Sequence, residues 1–287
     1  MGRKLGDRKD AKLVRKLDSM HLIIPMIMPG RCANEAFVEE TIDLTNLQAY
    51  LDKKNGDSID YKYNLFQVIV TALMKTLTLR PKLNLFIANN NLYERYEKTA
   101  SFVVKKEFND HSEEGLALIH AYDDDNIDSI HEKIKKQVKP IKSGKNDTTT
   151  DVMDIFLKFP RFLTKFVMKI FVWLQRHGWI PASLIETDPY HASVILSNLG
   201  SIKLHAGYHH LTDWGTTSVF VVVGERKKRP FFNDDGTFDM RDSVDIGLTI
   251  DERIADGYYY SKSIRLLKKL VENPELLEQN LNVEVDF

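Results

Sequence analysis

The sequence predicts an α+β fold, and three stretches carry that prediction. The first, Asp242 to Gln279, begins with a strand-like alternation of Val244, Ile246, Leu248 and Ile250. It passes through an acidic turn, Asp251 to Gly257, into a helix with apolar Ile264, Leu266, Leu267, Leu270 and Val271, and stops near Pro274. The second, Asn64 to Leu79, places Phe66, Ile69, Val70, Leu73, Met74 and Leu77 on one helical face before Arg80-Pro81 ends it. The third, Leu83 to Tyr96, is a hairpin, because Asn89-Asn90-Asn91 tolerates the positive φ of a tight turn.

The bulk numbers narrow the class. A chain of 287 residues can bury a sizeable core and fits one large domain or two small ones. A net charge of −1 provides no field to recruit nucleic acid. The single cysteine, Cys32, can form no internal disulfide, which suits a reducing cytoplasm. The start is basic and polar with no apolar signal core behind it, and Gly6 breaks the myristoylation pattern.

Taken in order, residues 1–19 form a charged lead-in, expected to be partly helical. Met20 to Gly30 is apolar, but Pro25 and Pro29 interrupt it, so an extended arm packing on its own domain or on a neighbouring subunit is expected. Residues 1–33 together read as an N-terminal arm and residues 34–287 as a single domain. Ala36 to Leu44 alternates as a strand, and Thr45 is a candidate N-cap for the helix that follows. Strands are expected over Ala100 to Val104 and Leu116 to Tyr122. Ile127 to Val138 is an amphipathic helix with an acidic beginning. Ser218 to Gly224 reads as a buried strand, and Asn233-Asp234-Asp235-Gly236 turns the chain into the final one.

Two segments then match a known family. The run His191 to Gly200 ends in Ser197-Asn198-Leu199-Gly200, and Asp251, Arg253, Asp256 and Gly257 follow farther along, before Asn273-Pro274-Glu275-Leu276-Leu277. In that order and separation they resemble the catalytic domain of the 2-oxo acid dehydrogenase dihydrolipoyl acyltransferases. The resemblance covers roughly residues 34–140 and 190–280. It implies a chloramphenicol acetyltransferase-like fold, a mixed central sheet with flanking helices, a homotrimer, and coenzyme A as a substrate. It also implies roles. Ser197 would donate to the oxyanion of a tetrahedral intermediate. Asp256 would form a structural ion pair holding the active-site turn, with Arg31 as the candidate partner. Asn198, Gly200, Arg253 and Gly257 would shape the site. No lipoyl domain is recognisable, so a complete core subunit of a dehydrogenase complex is not expected.

The sequence departs from the family where its catalytic histidine should stand, at Glu252. A glutamate near pKa 4.3 facing a thiol near 8.5 leaves proton transfer uphill by about four units, on the order of 6 kcal/mol, unless burial raises the carboxyl. Glu252 is therefore a candidate base only in a special environment. His205, His209 and His210 are alternative bases, since they follow Ser197 closely. Adjacent histidines also suggest a metal, but no third ligand sits at a recognisable spacing, and no metal is expected. A catalytically silent homologue kept for binding or assembly is the competing expectation.

Residues 146–189 have no counterpart in the family pattern. Phe159, Phe162, Leu163, Phe166, Ile170 and Trp173 follow helical spacing, and Lys158, Arg161, Lys165, Lys169 and Arg176 line another face. An inserted helical hairpin with a solvated basic side, a lid over an acyl groove, and peripheral membrane contact through 152–177 all fit this pattern.

Overall fold

The computed structural model describes residues 3–56, 60–105, 114–143 and 159–287. The first part of the 146–189 segment, Lys158 included, lies outside the described residues. The centre is a six-stranded sheet built from β2 (Glu35–Asp43), β5 (Lys98–Lys105), β6 (Glu114–Ala121), β7 (Val194–Asn198), β8 (Val219–Phe232) and β9 (Phe238–Asp251). Its order is β2-β9-β8-β7-β5-β6, with β5, β7 and β8 parallel and the other pairs antiparallel. A three-stranded sheet joins β1 (Ala11–Leu13) to the hairpin of β3 (Leu85–Ala88) and β4 (Asn91–Arg95). The hairpin turns through Asn89 and Asn90, both at positive φ, as the asparagine run demands.

The two faces of the large sheet do different work. Val194 and Leu196 of β7, Val219, Val221 and Val223 of β8, and Val244, Ile246, Leu248 and Ile250 of β9 point to one side. There they form the main core with α3 (Leu65–Leu79), α4 (Ile127–Lys142) and α7 (Gly257–Glu272). Helix α3 starts as its sequence demands: Asn64 accepts from the Gln67 N–H, and Gln67 accepts from the Asn64 N–H.

The opposite face carries Ser197, Phe220, Val222, Gly247, Thr249 and Phe37, and the segment 199–217 lies across it. Glycines make room for that segment. A Cβ on Gly247 would meet the Gly207 carbonyl oxygen at 2.1 Å, one on Gly224 the Ala206 nitrogen at 2.4 Å, and one on Gly200 the Gly224 carbonyl oxygen at 2.4 Å. Ile195, Phe220, Val222 and Leu211 form a small second core beneath it.

Several local expectations are corrected. The lead-in supplies strand β1, and the Met20–Gly30 arm is not extended: it contains helix α1 (Ser19–Ile27). Asp18 caps α1 by accepting from the His21 N–H, and Pro25 stands inside the helix. Thr45 does not cap α2 (Thr45–Lys54); instead Asp43 receives both its N–H and its hydroxyl. In the 146–189 segment, helix α5 (Arg161–Arg176) follows Pro160, and a short helix α6 (Ala182–Thr187) follows Pro181.

Because the Gly207 backbone leaves a side chain at Gly247 no space, Gly247→Ala should cost about 1–3 kcal/mol of stability, the range for overpacking. Urea unfolding of the two proteins checks it, with Gly56→Ala, in open space and at an ordinary φ, as the substitution that crowds nothing.

Candidate active site

The acidic turn after β9 is fixed by a buried carboxylate. Asp251 is the last residue of β9 and fully buried. Arg253 grips it with two hydrogen bonds of 2.7 Å, from Nε to Oδ1 and from Nη2 to Oδ2, and spends Nη1 on the Met28 carbonyl at 2.9 Å. Arg31 adds a second positive charge, its Nε 3.8 Å from Asp251 Oδ2, and donates through Nη1 to the carbonyls of Thr212 and Gly215. Burial pushes the Arg31 guanidinium below its ordinary range, and Asp251 opposes that shift. The Tyr260 hydroxyl donates to the Asp251 carbonyl at 2.7 Å.

This corrects the expected ion pair. Arg31 pairs with Asp251, not with Asp256. The reason is position: Asp251 ends a strand with its side chain turned under segment 199–217, whereas Asp256 is exposed and begins α7. Asp256 caps that helix, accepting from the Tyr259 N–H at 2.8 Å. Gly257 is the first residue of α7, with open space where its side chain would be.

Glu252 is exposed on this turn. Its N–H donates to the Asn34 carbonyl at 3.0 Å, and its carboxylate has no hydrogen-bond or ion-pair partner among the described residues. The special environment that a glutamate base requires is therefore missing within one chain.

Ser197 lies elsewhere. It is half-buried near the C-terminal end of β7 and lines a groove of about 620 Å³ with Asn198, Phe66, Gln67, Phe102, His209 and Phe220. Asn198 holds the turn that follows, accepting from the Ser201 N–H, while the Ser201 hydroxyl donates to the Asn198 carbonyl. The sheet register separates Ser197 from Glu252. Ser197 aligns with Val222 and hence with Gly247, whereas Glu252 lies at the far end of β9. Two strand spacings across and five residues along put them roughly 20 Å apart.

The three histidines part company. His205 is exposed, with Glu225 Oε1 3.0 Å from its Nδ1. His209 stacks on Phe220, centroids 4.3 Å apart, and donates from Nδ1 to the His210 carbonyl, so it stands in the Ser197 groove. His210 contacts Glu35 Oε2 through Nδ1 at 2.7 Å, while Glu35 Oε1 accepts from the Leu211 N–H. The Glu35 side chain is only 3% exposed and the His210 ring 79% exposed. Glu35 pairs with Asp251 across the β2–β9 ladder, so His210 stands at the same sheet end as Glu252. Glu35 was not a candidate from the sequence. It lies just before the strand expected over Ala36 to Leu44, and the covering segment buries its side chain.

Residues 183–278 match the model of the 2-oxoacid dehydrogenases acyltransferase (catalytic domain) family, which bears out the resemblance. The match begins at 183, so the end of the 146–189 segment does have a counterpart. The fold is that of the same group. A probable dihydrolipoamide acetyltransferase from Listeria monocytogenes superposes with a TM-score of 0.60 at 16% identity, over 91% of this chain and 94% of that one. The dihydrolipoamide acetyltransferase of Azotobacter vinelandii gives 0.61 at 14% identity, over 93% and 94%. A chloramphenicol acetyltransferase gives 0.52 at 11%, over 92% and 98%. These identities establish a shared fold. No curated protein matches the chain in sequence.

Asp251→Asn should destabilise the protein by about 3–5 kcal/mol, because it strands two buried guanidinium groups. Asp256→Ala should cost only about 1 kcal/mol, the value of an N-cap. Denaturant unfolding of both variants checks the assignment, and equal losses would overturn it.

Proposed function

We propose that this protein transfers an acyl group between a coenzyme A thioester and a small thiol or hydroxyl acceptor, at a site completed by a second copy of the chain in a homotrimer. The observation that carries this is the Glu35–His210 pair. A carboxylate on Nδ1 leaves Nε2 as the free basic atom and fixes the ring, which is what a general base requires. An imidazole near pKa 6.5 is also closer to a thiol than a carboxylate is, by about two units. His210 stands at the same end of the sheet as Glu252, where the family resemblance puts its histidine. On this reading the base has moved from the turn to the neighbouring segment.

The chemistry then runs in two steps. His210 Nε2 takes the proton of the acceptor, which attacks the thioester carbonyl. The oxyanion that forms receives the Ser197 hydroxyl of another copy. Collapse breaks the carbon–sulfur bond, and the departing thiolate recovers the proton from the imidazolium. The Ser197 groove is of the size that holds small ligands, and its wall of Phe66, Phe102 and Phe220 excludes water from the acyl group. Ser197 is on β7 and His210 is bonded to Glu35 on β2, three strands away, so on this reading the serine that meets His210 comes from another copy. Helix α1 supports association: Met20, Leu22, Ile23, Met26 and Ile27 are all exposed on it, an apolar surface that a second copy would cover. A cytoplasmic location is part of the proposal, since the free thiol of Cys32 suits a reducing compartment.

Thiol release from a panel of acyl-coenzyme A thioesters, with and without acceptors such as dihydrolipoamide, tests the proposal. Ser197→Ala should lower acceptor-dependent turnover by about 10²–10³-fold, and His210→Ala by about 10²–10⁴-fold. Glu252→Gln should cost less than about tenfold, the loss expected of a neighbour rather than a base. Mixing the Ser197→Ala and His210→Ala proteins should restore about a quarter of the interfaces through random assembly. Failure to complement, with His209→Ala inactive, would place the base inside the Ser197 groove instead. Saturable coenzyme A binding without turnover would make the protein a silent homologue.

A further inference from the structure

Helix α5 carries a surface that the acyl-transfer site does not use. Phe162, Phe166, Ile170 and Trp173 recur at steps of three and four, so they form one ridge, and they are 75%, 61%, 42% and 49% exposed. Arg161, Lys165, Lys169 and Arg176 form a second ridge beside the first, all exposed. Between Phe159 and Ile185 the sequence has no acidic residue to offset them. Just beyond the helix, Trp179 packs edge-on against Trp173 with ring centroids 5.2 Å apart and is itself 60% exposed.

The other side of the helix faces the protein. Leu163, Val167, Phe171 and Leu174 are half-buried. At its C-terminal end, buried Gln175 donates to the Gly215 carbonyl at 2.8 Å, and the Gln175 carbonyl accepts from Arg8 at 2.8 Å. The Gly215 carbonyl also accepts from Arg31, so the helix is tied to the segment that positions the active-site turn. No helix among the described residues is long and apolar enough to cross a membrane.

We propose that α5 and Trp179 form a docking surface for an anionic lipid bilayer. The helix would lie in the plane of the interface. Its aromatic ridge would enter the boundary between headgroups and acyl chains, and its basic ridge would meet lipid phosphates. Two tryptophans at the edge of an apolar strip suit that depth, where one side of the ring is dry and the other wet. Charge selects this occupant over a second copy of the chain. An isologous contact through this face would press the same four cations together with no carboxylate between them, whereas an anionic bilayer neutralises all four. The surface would bring the site to acyl chains or acceptors held in a membrane, which a freely diffusing site would not reach.

Flotation of the full chain with vesicles tests the proposal. Phosphatidylcholine vesicles with about a third phosphatidylglycerol should carry the protein at low salt, pure phosphatidylcholine should not, and raising NaCl from about 0.05 to 0.5 M should weaken binding at least tenfold. Phe162→Ser with Phe166→Ser, and separately Lys165→Glu with Lys169→Glu, should each abolish flotation without changing particle size in light scattering. In the wild type, Trp173 and Trp179 should shift their emission to shorter wavelength on binding and be quenched by brominated acyl chains, a readout that needs no variant. No flotation at low salt, equal flotation of the variants, or quenching absent from bound protein would overturn the proposal. A ridge variant that dissociates the oligomer would also overturn it, by showing the ridge to be a subunit contact.

Discussion

The carboxylate of Asp251 is the point to which the rest of the structure is tied. It is fully buried at the end of a strand, where an isolated charge would be prohibitive. Arg253 answers it with a two-point grip, and Arg31 brings a second cation from the chain before β2. Each guanidinium then reaches on, Arg253 to Met28 and Arg31 to Thr212, Gly215 and Ile87. One ion pair thereby sets the mutual register of the end of α1, the β3 strand, segment 212–215 and the Asp251–Gly257 turn. A hydrophobic cluster of equal volume could be as stable, but it would not specify which backbone carbonyls meet. The value of the cluster lies in position, which a site assembled from distant segments needs most.

Segment 199–217 inherits its course from that anchor and from the glycines beneath it. Gly224 and Gly247 remove side chains from the sheet so that Ala206 and Gly207 can lie flat on it. His209 and His210 consequently face different strands, one stacked on Phe220 of β8 and the other bonded to Glu35 of β2. The sheet order keeps Ser197 on β7 and the Glu35 partner of His210 on β2, three strands apart. On the proposed mechanism, activity and association are then one property, since neither half of the site exists alone.

Much of the architecture was legible in the chain. Asn64 to Leu79, the Asn89-Asn90 hairpin and the β9–α7 step follow from periodicity and turn chemistry, because each element satisfies its own local preferences. Ser197 and the Asp251–Gly257 turn were legible through family resemblance. The details that failed share a cause: they depend on what a distant segment covers. Asp251 and Asp256 are two acids on one turn, and only the placement of 199–217 decides which is buried. Glu35 looks like a solvated residue until the same segment lies over it. Helix α1 was hidden by Pro25, which stands inside it.

Glu252 stands where loss of function would first be inferred. A base moved from a strand-end turn to a long segment would ordinarily lose precision, since loops hold side chains less firmly than strands do. Here the segment is held on three sides, by the Glu35 carboxylate on His210 and Leu211, by the glycine contacts along the sheet, and by Arg31 on Thr212 and Gly215. The same Arg31 is joined to Asp251 on the turn that carries Glu252. Arg31 thereby ties the turn to the segment, and on the proposed mechanism a histidine on either could meet the serine of another copy. On the proposed mechanism the family's residue at position 252 is replaceable for that physical reason, provided that Glu35 remains a carboxylate and the glycines remain glycines.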